Sequence, residues 1–128
     1  MLIDKLNLAD NIFLLGIKSN PFDYLKNAQI FSFVSTSEGF PNALGEAMAA
    51  GCACLSFNCI TGPSELIDDA KNGFLIPVGN HELYIEKLKL LMLDEKIRNR
   101  LSVAAIEKIK QYYNVENIAE KYLDLTNK

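Results

Sequence analysis

Short apolar runs alternate with longer amphipathic stretches along most of this chain, the rhythm that strands make when helices alternate with them around a largely parallel sheet. Four runs have the near-continuous apolarity of strands covered on both faces: NIFLLG at 11–16, AQIFSFVST at 28–36, ACLSFN at 53–58 and GFLIPV at 73–78. Each is bounded by Gly, Asn, Pro or Ser, the residues that punctuate strands. Between them the pattern predicts a short helix at 21–28, a helix of small residues at about 42–50 and another short helix at 62–70. Pro63 suits a first helical turn. Gly51 is the natural stop of the small-residue helix, since glycine tolerates the left-handed conformation that closes helices. Beyond Val78 apolar steps of three and four residues run through Leu83, Leu88, Leu91 and Met92, then Ile97, Leu101, Ala105 and Ile109, then Val115, Ile118, Tyr122 and Leu125. The expected fold is therefore α/β, with helices around a mostly parallel sheet and a helical carboxyl terminus. His81, beside Asn80 and without a nucleophile or ligand pattern nearby, reads as a surface residue of a first helical turn. The tail YNVENIAEKYLDL reads equally as a plain surface helix or as one that docks on a partner.

Composition narrows this picture. A chain of 128 residues with 49% hydrophobic residues has room for one core and too little for two ordinary ones, so residues 1–128 are read as a single unit. Net charge is −3 with 23% charged residues, and Lys and Arg are scattered, which argues against nucleic acid as a partner. No apolar run reaches about 18 residues. The opening MLIDKLNLAD carries acid where a signal peptide needs a basic start, so a cytoplasmic chain is expected. Cys52, Cys54 and Cys59 lie close together without a zinc-finger arrangement and are expected as buried free thiols. On a strand, Cys52 and Cys54 share one face and act as small hydrophobes.

The stretch STSEGFPNALGEAMAAG, residues 35–51, concentrates the candidate chemistry. Ser35 to Gly39 form the turn at the carboxyl end of a predicted parallel strand, the place where open parallel sheets bind ligands. Asn42 is positioned to cap the helix that follows. A helix amino terminus at such a crevice offers unpaired N–H groups and partial positive charge, which suits a phosphate or diphosphate. Pro41 has no amide hydrogen, so donors come from Gly39, Phe40 and residues from Asn42 onward. Glu46 lies four residues after Asn42 on the same helix face, and a carboxylate there can accept hydrogen bonds from paired sugar hydroxyls. Glu38 is placed to accept from a second hydroxylated group. A sugar-bearing nucleotide satisfies both carboxylates and the helix end, while a solvated helix residue and an ordinary loop charge account for them equally well on physics alone.

EGFPNALGEAMAAG, with Glu38 and Glu46 as an E-x7-E pair, resembles the donor-site signature of retaining GT-B glycosyltransferases (family 4, group 1). LNLADNIFLLGIKSNPFDYLKNAQIFSFVSTSEGF, GPSELI, NGFLIPVGN and YNVENIAEKYLDL resemble successive parts of the same domain. The resemblance implies a Rossmann-like three-layer domain, the truncated carboxyl-terminal donor-binding part of a GT-B enzyme that transfers a hexose from a nucleotide-diphosphate sugar to a glycan or glycolipid with retention; this chain alone is expected at most to bind the donor. It implies Glu46 on the ribose and Glu38 on the donor sugar or its neighbourhood, as the catalytic glutamate. Amides of Gly39, Phe40 and Asn42 would meet the sugar, those near Ala43 and Leu44 the diphosphate, and backbone near Gly16 and Ile17 the base. No metal or other cofactor is expected: helix dipole and basic side chains stabilise the leaving diphosphate, and Asp68 and Asp69, adjacent rather than spaced as D-x-D, read as the end of a solvated helix.

The implied partners are a nucleotide sugar and the amino-terminal acceptor domain, in the same protein or in a partner subunit. In the sheet order the resemblance implies, the two opening strands of the domain lie between NIFLLG and AQIFSFVST; this sequence lacks them, and with them the Arg and Lys that neutralise the diphosphate. NIFLLG is then expected either to re-pair within a smaller sheet or to be covered by a second copy of the chain, as a homodimer. Enzymes of this kind often sit on the inner membrane face, although no basic or amphipathic patch for it is evident here. A non-catalytic nucleotide-sugar module and a self-associating fragment are the alternatives.

Overall fold

The structure, a computed structural model, describes residues 1–116 and 118. Its order is α1 (Leu2–Lys5), α2 (Phe22–Leu25), β1 (Ile30–Phe33), α3 (Asn42–Ala50), β2 (Ala53–Asn58), α4 (Pro63–Leu66), β3 (Phe74–Pro77), α5 (His81–Leu93) and α6 (Glu95–Tyr112). The sheet of described residues is parallel throughout in the order β1-β2-β3, with Ile30 opposite Ala53 and Leu55 opposite Phe74.

The strand period of two sorts β2 between two apolar layers. Cys52 and Cys54 turn to one side, where they meet Leu44, Ala47 and Met48 of α3 and Leu66 of α4. Ala53, Leu55 and Phe57 turn to the other, against Phe74, Ile76, Tyr84, Leu91 and Leu101. Helix α6 serves both layers, with Leu101 in the second and Ala105 in the first. The three-layer α/β expectation holds, and all three cysteines are buried free thiols with Cys52 and Cys54 on one face. Burial raises both of those thiols above their ordinary range, and for Cys54 the neighbouring Cys52 adds to it. Cys52 also donates to the carbonyls of Leu25 and Ala28 at 3.3 and 3.5 Å, which ties the end of α2 to the core.

Helix α3 stops at Gly51, whose φ of 90° and ψ of 20° are the left-handed closure expected there. Pro63 is at the first turn of α4. His81 opens α5 on the surface, edge-on to Phe57, after Asn80 has accepted the Leu83 amide at 3.1 Å.

Three expectations are corrected. NIFLLG makes no strand: among the described residues no strand pairs with its backbone, and Phe13 and Leu14 are each 72% exposed. An apolar run becomes a strand only where an adjacent ladder closes its hydrogen bonds, and β1 pairs on one side with β2 alone; re-pairing within the smaller sheet does not occur. The second predicted strand shortens to four residues, because its ladder ends at Phe33 opposite Ser56. The short helix predicted at 62–70 ends at Leu66, where buried Asn72 donates to the Leu66 carbonyl and accepts from the Asp68 amide. Asp68 and Asp69 therefore belong to a turn, Asp68 paired with Lys108 at 3.0 Å and Asp69 accepting from the Leu75 amide. The helix predicted through Tyr122 and Leu125 lies outside the described residues.

Candidate functional site

The carboxyl ends of β1 and β2 are neighbours because the two strands are parallel and paired. The loops that follow them, 34–41 and 59–62, meet above the sheet edge. Glu38 is half-buried, and its main-chain carbonyl accepts the Thr61 hydroxyl hydrogen bond. Pro41 is fully buried against Gly62. A Cβ on Gly62 would overlap Pro41 Cδ and lie 3.0 Å from the Gly39 carbonyl, and the φ of +101° there is one that side chains rarely adopt. The chain is thus folded tightly around a contact that only glycine permits.

Helix α3 starts one residue earlier than a cap at Asn42 requires. Pro41 is the residue before the helix, and its carbonyl accepts from the Leu44 and Gly45 amides at 3.0 and 3.1 Å. Asn42 is the first helical residue, makes no side-chain cap and spends its amide on the Phe40 carbonyl. Leu44 is wholly buried and its amide is committed. Gly39, Phe40 and Ala43 have amides that donate to no other described residue. The first turn of α3 contains no acidic residue to offset its positive end.

Glu46 is exposed one turn into α3, and its carboxylate, like that of Glu38, accepts no hydrogen bond from another described residue. It stands between two concavities. One, of about 300 Å³, is lined by Leu15, Gly16, Lys18, Tyr24, Ala43 and Glu46 together with Pro21, Leu25 and Phe31. The other, of about 320 Å³, is lined by Phe40, Asn42, Gly45, Glu46 and Tyr113, with apolar side chains behind. The structure so brings Gly16, Ala43 and Glu46 together, and Phe40 and Asn42 beside Glu46. It does not bring Glu38, Gly39 or Leu44 to the wall of either, and Ile17 points fully to solvent. A third concavity, about 670 Å³ between 15–20 and α2, continues the first through Leu15, Lys18 and Tyr24.

Sequence reasoning missed Lys18, Tyr24, Thr61, Gly62 and Tyr113. The signal for Thr61 and Gly62 was present: they follow the next predicted strand of a parallel sheet and so share its ligand edge. Nothing local marks Tyr113, which comes from the far end of α6. Among the described residues no group of three His, Cys, Asp or Glu is arranged to hold a metal ion.

Comparison with known proteins gives this geometry a context. The family model described as glycosyl transferases group 1 matches residues 1–108. An N-acetylgalactosamine-N,N'-diacetylbacillosaminyl-diphospho-undecaprenol 4-alpha-N-acetylgalactosaminyltransferase of Campylobacter jejuni is 35% identical over 95% of this chain, which spans 34% of that protein. A crystal structure of a Staphylococcus aureus TarM variant with Fondaparinux, alpha-GlcNAc-glycerol and UDP superposes at a TM-score of 0.88, 32% identical, over 99% of this chain and 26% of that one. Anabaena HepE in complex with UDP superposes at 0.90 over 98% of this chain and 34% of that one, and at 21% identity it speaks to the fold alone. The chain therefore spans about a third or less of the length of these three proteins.

Proposed function

The chain belongs to the group 1 glycosyl transferases, and on that premise we propose that residues 1–128 are one partial GT-B donor domain whose site binds a nucleotide-diphosphate sugar. The observation that supports this most is the shared wall: Gly16, Ala43 and Glu46, from two distant parts of the chain, line one cavity of about 300 Å³. In this reading the ribose hydroxyls donate to the Glu46 carboxylate. The diphosphate lies at the amino end of α3, on the uncommitted Ala43 amide and the positive pole of the helix. The base lies along the backbone at Gly16 and Ile17, next to Tyr24. Lys18 faces the same cavity and supplies cationic charge to the phosphates.

The hexose occupies the loop side, where Glu38 and the amides of Gly39 and Phe40 receive its hydroxyls. Asn42 contributes its side chain there, since its amide is committed, and Leu44 contributes shape alone. Transfer proceeds with retention to a hydroxyl of a glycan or glycolipid, without a metal, in the cytoplasm and at or near the inner membrane face. The acceptor is held by a further domain or subunit, which this chain completes, so the chain binds donor without transferring it alone.

Calorimetric titration with UDP, GDP and their hexose conjugates tests the reading. One nucleotide should bind, and Glu46→Ala should weaken it. Absence of binding by all of them would favour the second reading, a self-associating fragment, which the exposed Phe13, Leu14 and Ile17 and the unpaired edge of β1 support.

A further inference from the structure

Residues 38–40 and helix α3 are held by different parts of the molecule. Helix α3 is fixed from below, since Leu44, Ala47 and Met48 are wholly buried in the core. The loop lies outside any strand or helix. At its α3 end Pro41 accepts from the Leu44 and Gly45 amides and packs against Gly62, while ahead of Pro41 the local hydrogen bonds are few: Ser35 to the Ser37 carbonyl at 3.0 Å and the Asn42 amide to Phe40 at 3.0 Å. Its long-range supports come from elsewhere. The Thr61 hydroxyl donates to the Glu38 carbonyl. The Tyr113 ring is 6.0 Å from that of Phe40, tilted by 41°, while the Tyr113 hydroxyl donates to the Glu65 carbonyl of α4 at 2.9 Å. One hydroxyl thus holds the peptide on one side of Gly39, and one ring holds the residue on the other.

We propose that Thr61 and Tyr113 are positioning residues for the sugar half of the donor site: they fix the direction of residues 38–40, and leave the nucleotide half, built on α3, to the core beneath it. The inference rests on the donor-site reading above. It follows from the division of supports, because removing the Thr61 hydroxyl frees the Glu38–Gly39 peptide without touching Leu44, Ala47 or Met48. The Tyr113 hydroxyl keeps its proton into alkaline solution, since burial, then Glu65, then Asp68 all push its ionisation upward, and the bond to Glu65 persists with it.

The test compares Thr61→Val, Thr61→Ser and Tyr113→Leu with the unaltered chain, using UDP against UDP-glucose and GDP against GDP-mannose. Affinity for the bare nucleotide should change by less than about twofold in Thr61→Val, while the conjugate's affinity relative to it falls about fivefold to tenfold, the loss of one oriented hydrogen bond. Thr61→Ser, which keeps the hydroxyl, should restore the ratio, and Tyr113→Leu should lower it. Nitrogen-15 relaxation should show Gly39 and Phe40 more mobile in Thr61→Val and Ala43 to Met48 unchanged. A parallel fall in both affinities, an unchanged ratio, or failure of the serine variant to restore it overturns the inference while the donor site stands. Binding of no nucleotide by the unaltered chain overturns the donor-site reading, and the inference with it.

Discussion

Gly62 shows how much of the site depends on single residues that carry no functional group. Its φ of +101° and the buried Pro41 against it leave no space for a Cβ, so Gly62→Ala should cost about 1–3 kcal/mol, read as a lowered unfolding midpoint in urea. The sequence placed glycine in the GPSELI stretch but could not say that a proline from another loop fills the space beside it, because that contact depends on which strands pair. Glu46 was more legible: a four-residue step from Asn42 fixes its helix face, whatever surrounds the helix. The thiols lead to a pH dependence. Burial raises Cys52 and Cys54, so above the ordinary thiol range the unfolded chain loses protons that the folded chain keeps. Stability should accordingly be fully present below about pH 8 and fall as pH rises past about 9, with Tyr84 and Tyr113, also raised, adding to the decline above about 10. Thermal melts from about pH 7 to about 10.5 check this, and a flat profile would contradict it. Cys54→Ala should flatten the first part of the fall.

Helix ends separate what local sequence decides from what packing decides. Asn42, Asn80 and Asp94 are all cap-type residues at the start of an apolar pattern, yet only Asn80 and Asp94 accept an amide three residues on, at 3.1 and 3.0 Å. At Asn42 the preceding Pro41 takes the cap position, because its burial against Gly62 fixes the entry of the chain. Asn80→Ala and Asp94→Ala should each cost about 1 kcal/mol in chemical denaturation, while Asn42→Ala should be neutral within about 0.5 kcal/mol. A full cap loss at Asn42 would show that the helix starts where its sequence suggests. The core face of α3 contributes more than its cap: Met48→Ala, at a site with no exposure, should cost about 2–5 kcal/mol. The periodicity that marked α3, β2 and α5 was legible because each has its neighbours within this chain. That of β1 and of the helix at 63–66 overran, because ladder length and the turn held by Asn72 are decided by other elements.

Among the described residues the one large departure from the sequence pattern is NIFLLG, a strand by composition that finds no described strand to pair with. Its Phe13 and Leu14 are exposed, and among the described residues β1 pairs on one edge alone. In sedimentation the chain should associate with rising concentration, and Phe13→Lys together with Ile17→Lys should reduce it; a monomer throughout would contradict that expectation. The same region supplies Gly16 and Lys18 to the cavity that Ala43 and Glu46 face, so the proposed donor site borders this exposed apolar segment. The central claim is that this wall holds a nucleotide, and amide chemical shifts during titration with UDP, and separately GDP, test it most directly. Gly16, Ala43 and Glu46 should shift together and saturate at one concentration, and Glu46→Gln should move that concentration up about tenfold, as expected for a lost charge-assisted hydrogen bond. No saturating shift with either nucleotide, or shifts that leave these three residues unmoved, would contradict it.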